Sequence, residues 1–259
     1  MFIDTHCHLN FPQYDPDRAM VVGNAKKAGV KQFINPGVDL FSSKQAIVLA
    51  QKHPGVVFAA IGFHPYEAQK NPETDKLYNL YNNYKNYIVA VGEIGLDYHQ
   101  YKGEKAEGKK QNQKILFEEQ LHLALSNDLP VIMHCRDAYE DFFDVLDSLP
   151  RAPRGVIHCF SGGLQELRMA TDRKFFVGID GNVTYSKQLA MIVPHIPLSM
   201  LLLETDAPFL TPAPHRGTRN EPKYIPLVAR EIAKLLNVSA KEVQETTAAN
   251  ARKLFSALI

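Results

Sequence analysis

Eight short apolar runs recur along the chain, and longer stretches of helical spacing lie between most of them. The runs are MFIDTHCHL (1–9), VKQFINPG (30–37), VVFAAIGFHP (56–65), YIVAVGEIGLD (87–97), PVIMHC (130–135), GVIHCF (155–160), FFVGIDG (175–181) and LLLETDAP (201–208). Their hydrophobicity is nearly continuous instead of alternating, as expected of parallel strands covered on both faces. Between them, Phe117, Leu121, Ala124 and Leu125 share one helical stripe, and Ile225, Val228, Ile232, Leu235 and Leu236 share another. DAYE (137–140) and SAKE (239–242) each place a capping residue three positions before a glutamate, which predicts two helix starts. Eight strands, most followed by a helix, predict an α/β fold: a (β/α)8 TIM barrel occupying residues 1–259 as one domain. A Lys/Gly/Gln-rich mobile loop is expected at 102–114, after the fourth strand, and a Pro-rich loop at 211–224, after the eighth. No internal repeat interrupts this plan.

Composition changes the picture little. Apolar residues make up 45% and charged residues 22%, as in ordinary globular proteins, and the net charge of +1 creates no overall basic field. Contact with phosphates would therefore have to be local. The start of the chain lacks a signal-like segment, and no apolar run approaches the length of a bilayer span. Three cysteines without framework spacing point to a reducing compartment, so a cytoplasmic location is expected.

The polar residues carry the functional signal. Chemistry in such barrels sits at the carboxyl ends of the strands. Those ends carry His6, His8, His64, Glu93, Asp97, His134, His158, Glu204 and Asp206. One buried histidine usually means a hydrogen-bonded core residue; five of the ten at one rim, interleaved with carboxylates, point to a metal site. Residues i and i+2 of a strand share a face, so His6 and His8 project together, while their neighbour Cys7 points the other way. By the same alternation Cys135 and Cys159 are expected in the helix layer as small buried groups. The ligand set is then imidazole and carboxylate, which suits Zn²⁺, Mn²⁺, Ni²⁺ or Fe²⁺ better than Mg²⁺.

Four histidines and two carboxylates exceed the needs of one four-coordinate ion, so two divalent ions are expected, with Glu93 bridging them. Such a pair acidifies a bridging water and clamps the oxygens of a displacement. Asp206 is the candidate base as well as a ligand, and Glu204 is expected to hold a further ion or a supporting hydrogen bond. His64 is read as a substrate contact, because the third strand is expected to lie off the cluster. Asp97 is expected to orient a ligand, and Asp4 to position a histidine from one layer below. His53, His99, His122 and His195 are expected to be solvated.

DTHCHL, GFHP, VGEIGLDY, VIMHCRDA, VIHCFSG, LLLETDAPFLTP and RGTRNEP together resemble the TatD family of metal-dependent deoxyribonucleases, which is similar to the wider amidohydrolase superfamily. The resemblance runs in order as far as TTAANARKLF (246–255). It implies His6 and His8 as first-strand ligands, Glu93 as the bridging carboxylate, His134 and His158 as ligands of the second ion, and Asp206 as the last ligand and base. Glu204 matches a residue linked to a third ion in some members, and Arg216 and Asn220 lie in the family's loop after strand 8, implying substrate contacts. Family members are cytoplasmic nucleases that act from a 3′ end on DNA with Mg²⁺ or Mn²⁺, which implies a DNA substrate and a place in DNA repair; a monomer is expected. No lysine occupies a strand end, which argues against a carbamylated-lysine bridge. One departure is KFFVGIDG (174–181), where a pattern such as GFYISFSG is expected; Asp180 there either alters substrate contacts or faces the loop.

Cleavage of phosphodiester bonds by a dimetal-activated hydroxide is the leading reading, with His215, Arg216, Arg219 and Lys223 available to grip phosphates. The alternative keeps the metals and changes the bond, to an ester or amide such as an aminoacyl-tRNA ester or a small molecule. A binding module with a structural metal is disfavoured, because a closed structural site needs only four ligands.

Overall fold

The computed structural model describes residues 1–99 and 109–258. Eight strands follow one another in space as they do in sequence: β1 (Phe2–Asp4), β2 (Val30–Pro36), β3 (Val57–Ile61), β4 (Ile88–Asp97), β5 (Val131–Arg136), β6 (Gly155–Ile157), β7 (Phe176–Ile179) and β8 (Leu201–Leu203). All seven neighbouring pairs are parallel. The helices are α1 (Arg18–Lys27), α2 (Leu40–Lys52), α3 (Asp75–Tyr84), α4 (Lys109–Ser126), α5 (Tyr139–Asp147), α6 (Leu164–Asp172), α7 (Lys187–Ile192), α8 (Ile225–Leu236) and α9 (Ala240–Leu254). This is the expected (β/α)8 barrel.

The ring closes beyond the ends of β1 and β8. The Thr5 amide donates to Leu203 O, the Asp206 amide to His6 O and the His8 amide to Ala207 O, with a parallel bridge between Cys7 and Ala207. This seam brings His6 and His8 beside Asp206, from opposite ends of the barrel sequence.

Strand alternation couples the core to the rim. Ile132, Val156 and Leu202 belong to one buried apolar cluster with Ile34, Ala60 and Phe176. Two residues further on, on the same face, stand His134, His158 and Glu204. The periodicity that fills the barrel therefore also delivers polar groups to its carboxyl-terminal mouth. At the other end, Ala248, Ala251 and Leu254 of α9 join the same cluster, and the Asn250 amide donates to Leu198 O and Leu201 O.

Two local expectations are corrected. Of the loop expected at 102–114, residues 109–114 form the first turns of α4, and 102–108 lie outside the described residues. Gln113 pins that helix to the end of β4, donating to Asp97 O and accepting from the Asp97 amide. DAYE does begin near a helix, but Asp137 does not cap it: α5 has Ala138 at its cap position without a side-chain bond. Asp137 instead takes a left-handed φ of 53° and meets His99 Nδ1 at 2.9 Å, in a solvent-exposed contact. SAKE behaves as expected, with Ser239 Oγ accepting from the Glu242 amide at the start of α9.

Candidate metal centre

Six side chains from five strand ends converge on one point. His6 Nε2 and His8 Nε2 lie 3.1 Å apart, and Asp206 Oδ1 is 3.3 Å from His8 Nε2 and 3.7 Å from His6 Nε2. Across the mouth, His134 Nδ1 and His158 Nε2 are 3.2 Å apart. Glu93 stands between the two pairs. Its Oε1 is 2.8 Å from His158 Nε2 and 3.0 Å from His134 Nδ1, while Oε2 is 3.4 Å from His6 Nε2 and 3.6 Å from His8 Nε2.

These distances suit cation binding. Two nitrogens held tetrahedrally at the usual zinc–nitrogen length lie roughly 3.3–3.4 Å apart; the two imidazole pairs stand at 3.1 and 3.2 Å. Nitrogens that close, buried together with carboxylate oxygens, present lone pairs to a common point. Three overlapping groups have their ligand atoms within 4.8 Å of one another: His6, His8 and Glu93; His6, His158 and Asp206; His64, Glu93 and His134.

The electrostatics agree with a ligand state. Burial pushes the His6 imidazole down to about 4, helped by the neighbouring His158, so it is neutral. Burial opposes ionisation of Glu93, yet the surrounding imidazoles of His158, His64 and His134 outweigh it and hold the carboxyl well below the usual range. At Asp206 burial is likewise outweighed, first by the bond to His8 and then by the surrounding imidazoles. Two imidazoles go the other way. Burial disfavours the charged form of His134, but Asp97 and Glu93 outweigh it and raise the group to about 9; Asp206 and Glu93 raise His8 in the same sense. The surrounding carboxylates thus attract positive charge to these nitrogens, and a divalent cation binding there would displace protons.

Asp97 supports this arrangement. Its Oδ2 is 3.1 Å from His134 Nε2, so that nitrogen carries the proton and Nδ1 turns toward Glu93 and His158. Asp4 acts differently from expectation. Its carboxylate accepts from the His6 and Thr205 amides and from Thr205 Oγ1, so it fixes the backbone across the β1–β8 seam instead of an imidazole.

His64 corrects the expectation that the third strand lies off the cluster. β3 pairs directly with β4, and His64 Nε2 reaches 3.5 Å from Glu93 Oε1. Its Nδ1 accepts from the Tyr66 amide, which leaves Nε2 as the proton-bearing nitrogen. It faces the site as a donor.

Glu204 stands one step behind His158. Its Oε1 accepts from the Cys159 amide at 2.5 Å and lies 3.9 Å from His158 Nδ1, while Oε2 is buried without a partner. A Cβ on Gly178 would collide with that oxygen, so only glycine leaves room for this carboxyl. Asp180 does not reach the cleft as a substrate contact; it is buried and caps the following turn by accepting from the Asn182 amide at 2.6 Å. Cys7 is buried in the core; Cys135 is buried too but borders the cleft, and Cys159, half-buried, lines the cleft instead of entering the helix layer. Its φ of +46° breaks the extended geometry on which alternation depends.

The loop after β8 mostly fails as a phosphate grip. Arg219 pairs with Asp17 and also meets Glu221, and Lys223 is 2.9 Å from Glu221. Asn220 is fully buried: its Nδ2 donates to Thr205 O and Phe209 O, and its Oδ1 accepts from the Glu221 amide. Its side chain braces the loop, with both its amide nitrogen and its oxygen spent on main-chain partners. Asn220→Ala is expected to lower stability by about 1–3 kcal/mol, because the buried Thr205 carbonyl and the part-buried Phe209 carbonyl lose their donor; an unshifted urea midpoint would contradict this. His215 stacks on Tyr224, and Arg216 is exposed with its guanidinium 3.9 Å over the Tyr185 ring.

The site opens into a cleft of about 710 Å³. Its walls include aromatic residues that the motif reading passed over: Phe11, Tyr66 and Phe209. Phe209 lies within LLLETDAPFLTP, three positions after Asp206, and an apolar residue that close to a candidate base was the available signal.

Comparison with known proteins gives a consistent picture. A family model described as TatD-related DNase matches residues 3–256. An uncharacterised metal-dependent hydrolase of Bacillus subtilis, YabD, is 38% identical over 98% of this chain and 99% of its own length. A protein of Pectobacterium carotovorum named 3′-5′ ssDNA/RNA exonuclease TatD is 35% identical, covering 97% of this chain and 98% of its own. The crystal structure of the TatD homologue YjjV from Escherichia coli superposes with a TM-score of 0.89 at 32% identity, over 98% of both chains.

Proposed function

The chain belongs to the TatD-related DNase family of metal-dependent hydrolases, and on that premise we propose that it is a 3′–5′ exonuclease acting on single-stranded DNA. The observation that carries the reading is Glu93, whose two oxygens each face a separate imidazole pair. That division suits two divalent ions, one among His6, His8 and Asp206 and one between His134 and His158. When bound, such ions supply Lewis-acid activation of water and a clamp on phosphoryl oxygens.

The protein's own residues do the rest. Asp206, held ionised at the mouth, accepts the proton of the attacking water. His64 offers its Nε2 proton to a phosphoryl oxygen, and Tyr66 fixes that tautomer. Arg216, exposed and stacked on Tyr185, is assigned the next phosphate along the strand. Glu204, behind His158, is assigned the support of that ligand, or a third ion.

The same reading gives a monomer in the cytoplasm, where trimming of 3′ ends belongs to DNA repair. All three cysteines are free, in keeping with a reducing compartment, and no helix among the described residues is long and apolar enough to cross a membrane. The test is an end-labelled single-stranded oligonucleotide incubated with Mg²⁺, Mn²⁺ or Zn²⁺ and read by fragment length. Stepwise shortening from the 3′ end that stops on chelation is expected. Inertness toward DNA together with hydrolysis of a carboxylic ester panel would favour the ester reading instead.

A further inference from the structure

One wall of the cleft is apolar, and metal-assisted hydrolysis alone gives it no role. Phe209 is 46% exposed at the mouth. Phe11 lies against His8 with ring centroids 4.5 Å apart and planes at 18°, and Phe209 meets Phe11 edge-on at 6.2 Å and 76°. Leu210 continues this wall.

The main chain that carries the exposed ring is held in place. The Phe209 amide donates to Asp206 O, and its carbonyl accepts from the buried Asn220 amide at 2.5 Å. An apolar face left open beside a charged centre is unfavourable in water and becomes favourable when a flat ligand covers it. Its distance from the metal centre is short, since Phe209 sits edge-on 6.3 Å from His8. A group bonded to a phosphate at that centre through a sugar would therefore reach it.

We propose that Phe209, backed by Phe11, stacks a nucleobase flanking the scissile phosphodiester, so that the enzyme selects unpaired 3′ ends of any sequence. This rests on the nuclease reading above. Phe11, Phe209 and Leu210 offer faces and carbon edges, with no side-chain hydrogen-bonding group to read a base edge. Every base has a π-face, so such a platform is indifferent to sequence. A base locked in a duplex keeps its own stacking partners and cannot present that face.

The test compares wild type, Phe209→Ala, Phe209→Leu and Phe209→Tyr on three single-stranded oligonucleotides in the presence of Mn²⁺. One is intact, one has an abasic analogue at the 3′-terminal nucleotide, and one has it at the penultimate nucleotide. Stacking on an aromatic side chain supports a loss of roughly 5- to 100-fold in kcat/KM when wild type meets one of the abasic substrates. Phe209→Ala should lose a similar factor on the intact strand, yet discriminate between intact and abasic strands by less than about threefold. Phe209→Tyr should retain the discrimination, and Phe209→Leu should not. If Phe209→Ala discriminates as wild type does at both positions, or if wild type ignores base removal, the platform is wrong while the nuclease reading stands. If wild type cleaves none of the oligonucleotides, the nuclease reading fails and takes the platform with it.

Discussion

Asp206→Asn is expected to lower kcat on single-stranded DNA by roughly 10²- to 10⁴-fold, the range associated with loss of a positioned general base. The amide keeps the shape of the carboxylate but cannot take a proton from water at neutral pH. It also removes a negative charge that lies 3.3 Å from His8 Nε2 and 3.7 Å from His6 Nε2. The fold should survive, because the β1–β8 seam at this point is made by main-chain atoms: the Asp206 amide donates to His6 O, and its carbonyl accepts from the Phe209 amide. The measurement is single-turnover cleavage at saturating metal, paired with far-UV circular dichroism and a thermal melt. Turnover by the Asp206→Asn variant within about threefold of wild type would remove Asp206 from the role of base.

Glu93→Gln is expected to have the larger effect on metal content. Its Oε1 lies within 3.0 Å of His134 and His158, and its Oε2 lies 3.4 and 3.6 Å from His6 and His8. Replacing one oxygen with an NH₂ group turns a bridging acceptor into a donor aimed at nitrogens that also need acceptors or a cation. Wild type, loaded and then dialysed, is expected to hold about two ions per chain by elemental analysis. The variant should hold less than one and should lose nearly all activity. Cation binding and stability are linked, so the metal-dependent rise in melting temperature should shrink with it. At free metal one hundred times the dissociation constant, that linkage amounts to about 2.7 kcal/mol for one site. Two ions retained through dialysis by the glutamine variant would show that Glu93 is not the bridge.

The candidate site was legible to different depths. His6, His8, Glu93, His134, His158 and Asp206 could be grouped from the sequence because each follows an apolar run that ends at the same rim. Asp97 was legible as an orienting group for a similar reason, standing at the end of β4, from where its carboxylate reaches His134 on the neighbouring β5. Cys159 was misplaced because alternation stops where φ turns positive, and no residue pattern signals that turn. The bracing by Asn220 was not legible, because a polar residue in a loop motif gives no sign that its three hydrogen bonds are spent internally. Arg219 and Lys223 are similarly occupied by Asp17 and Glu221, partners that no local spacing pairs with a phosphate grip.

From the amino-acid order alone came the barrel, its eight strands, and the imidazoles and acids at their ends, since both hydrophobic burial and side-chain direction repeat along each strand with a fixed period. Tertiary structure decided what period cannot carry: that the ring closes by joining residues 5–8 to residues 203–207, that β3 brings His64 next to Glu93, and that a phenylalanine faces the mouth. Those outcomes depend on distances between segments remote in the chain, and such distances are set only once every strand has found its neighbour.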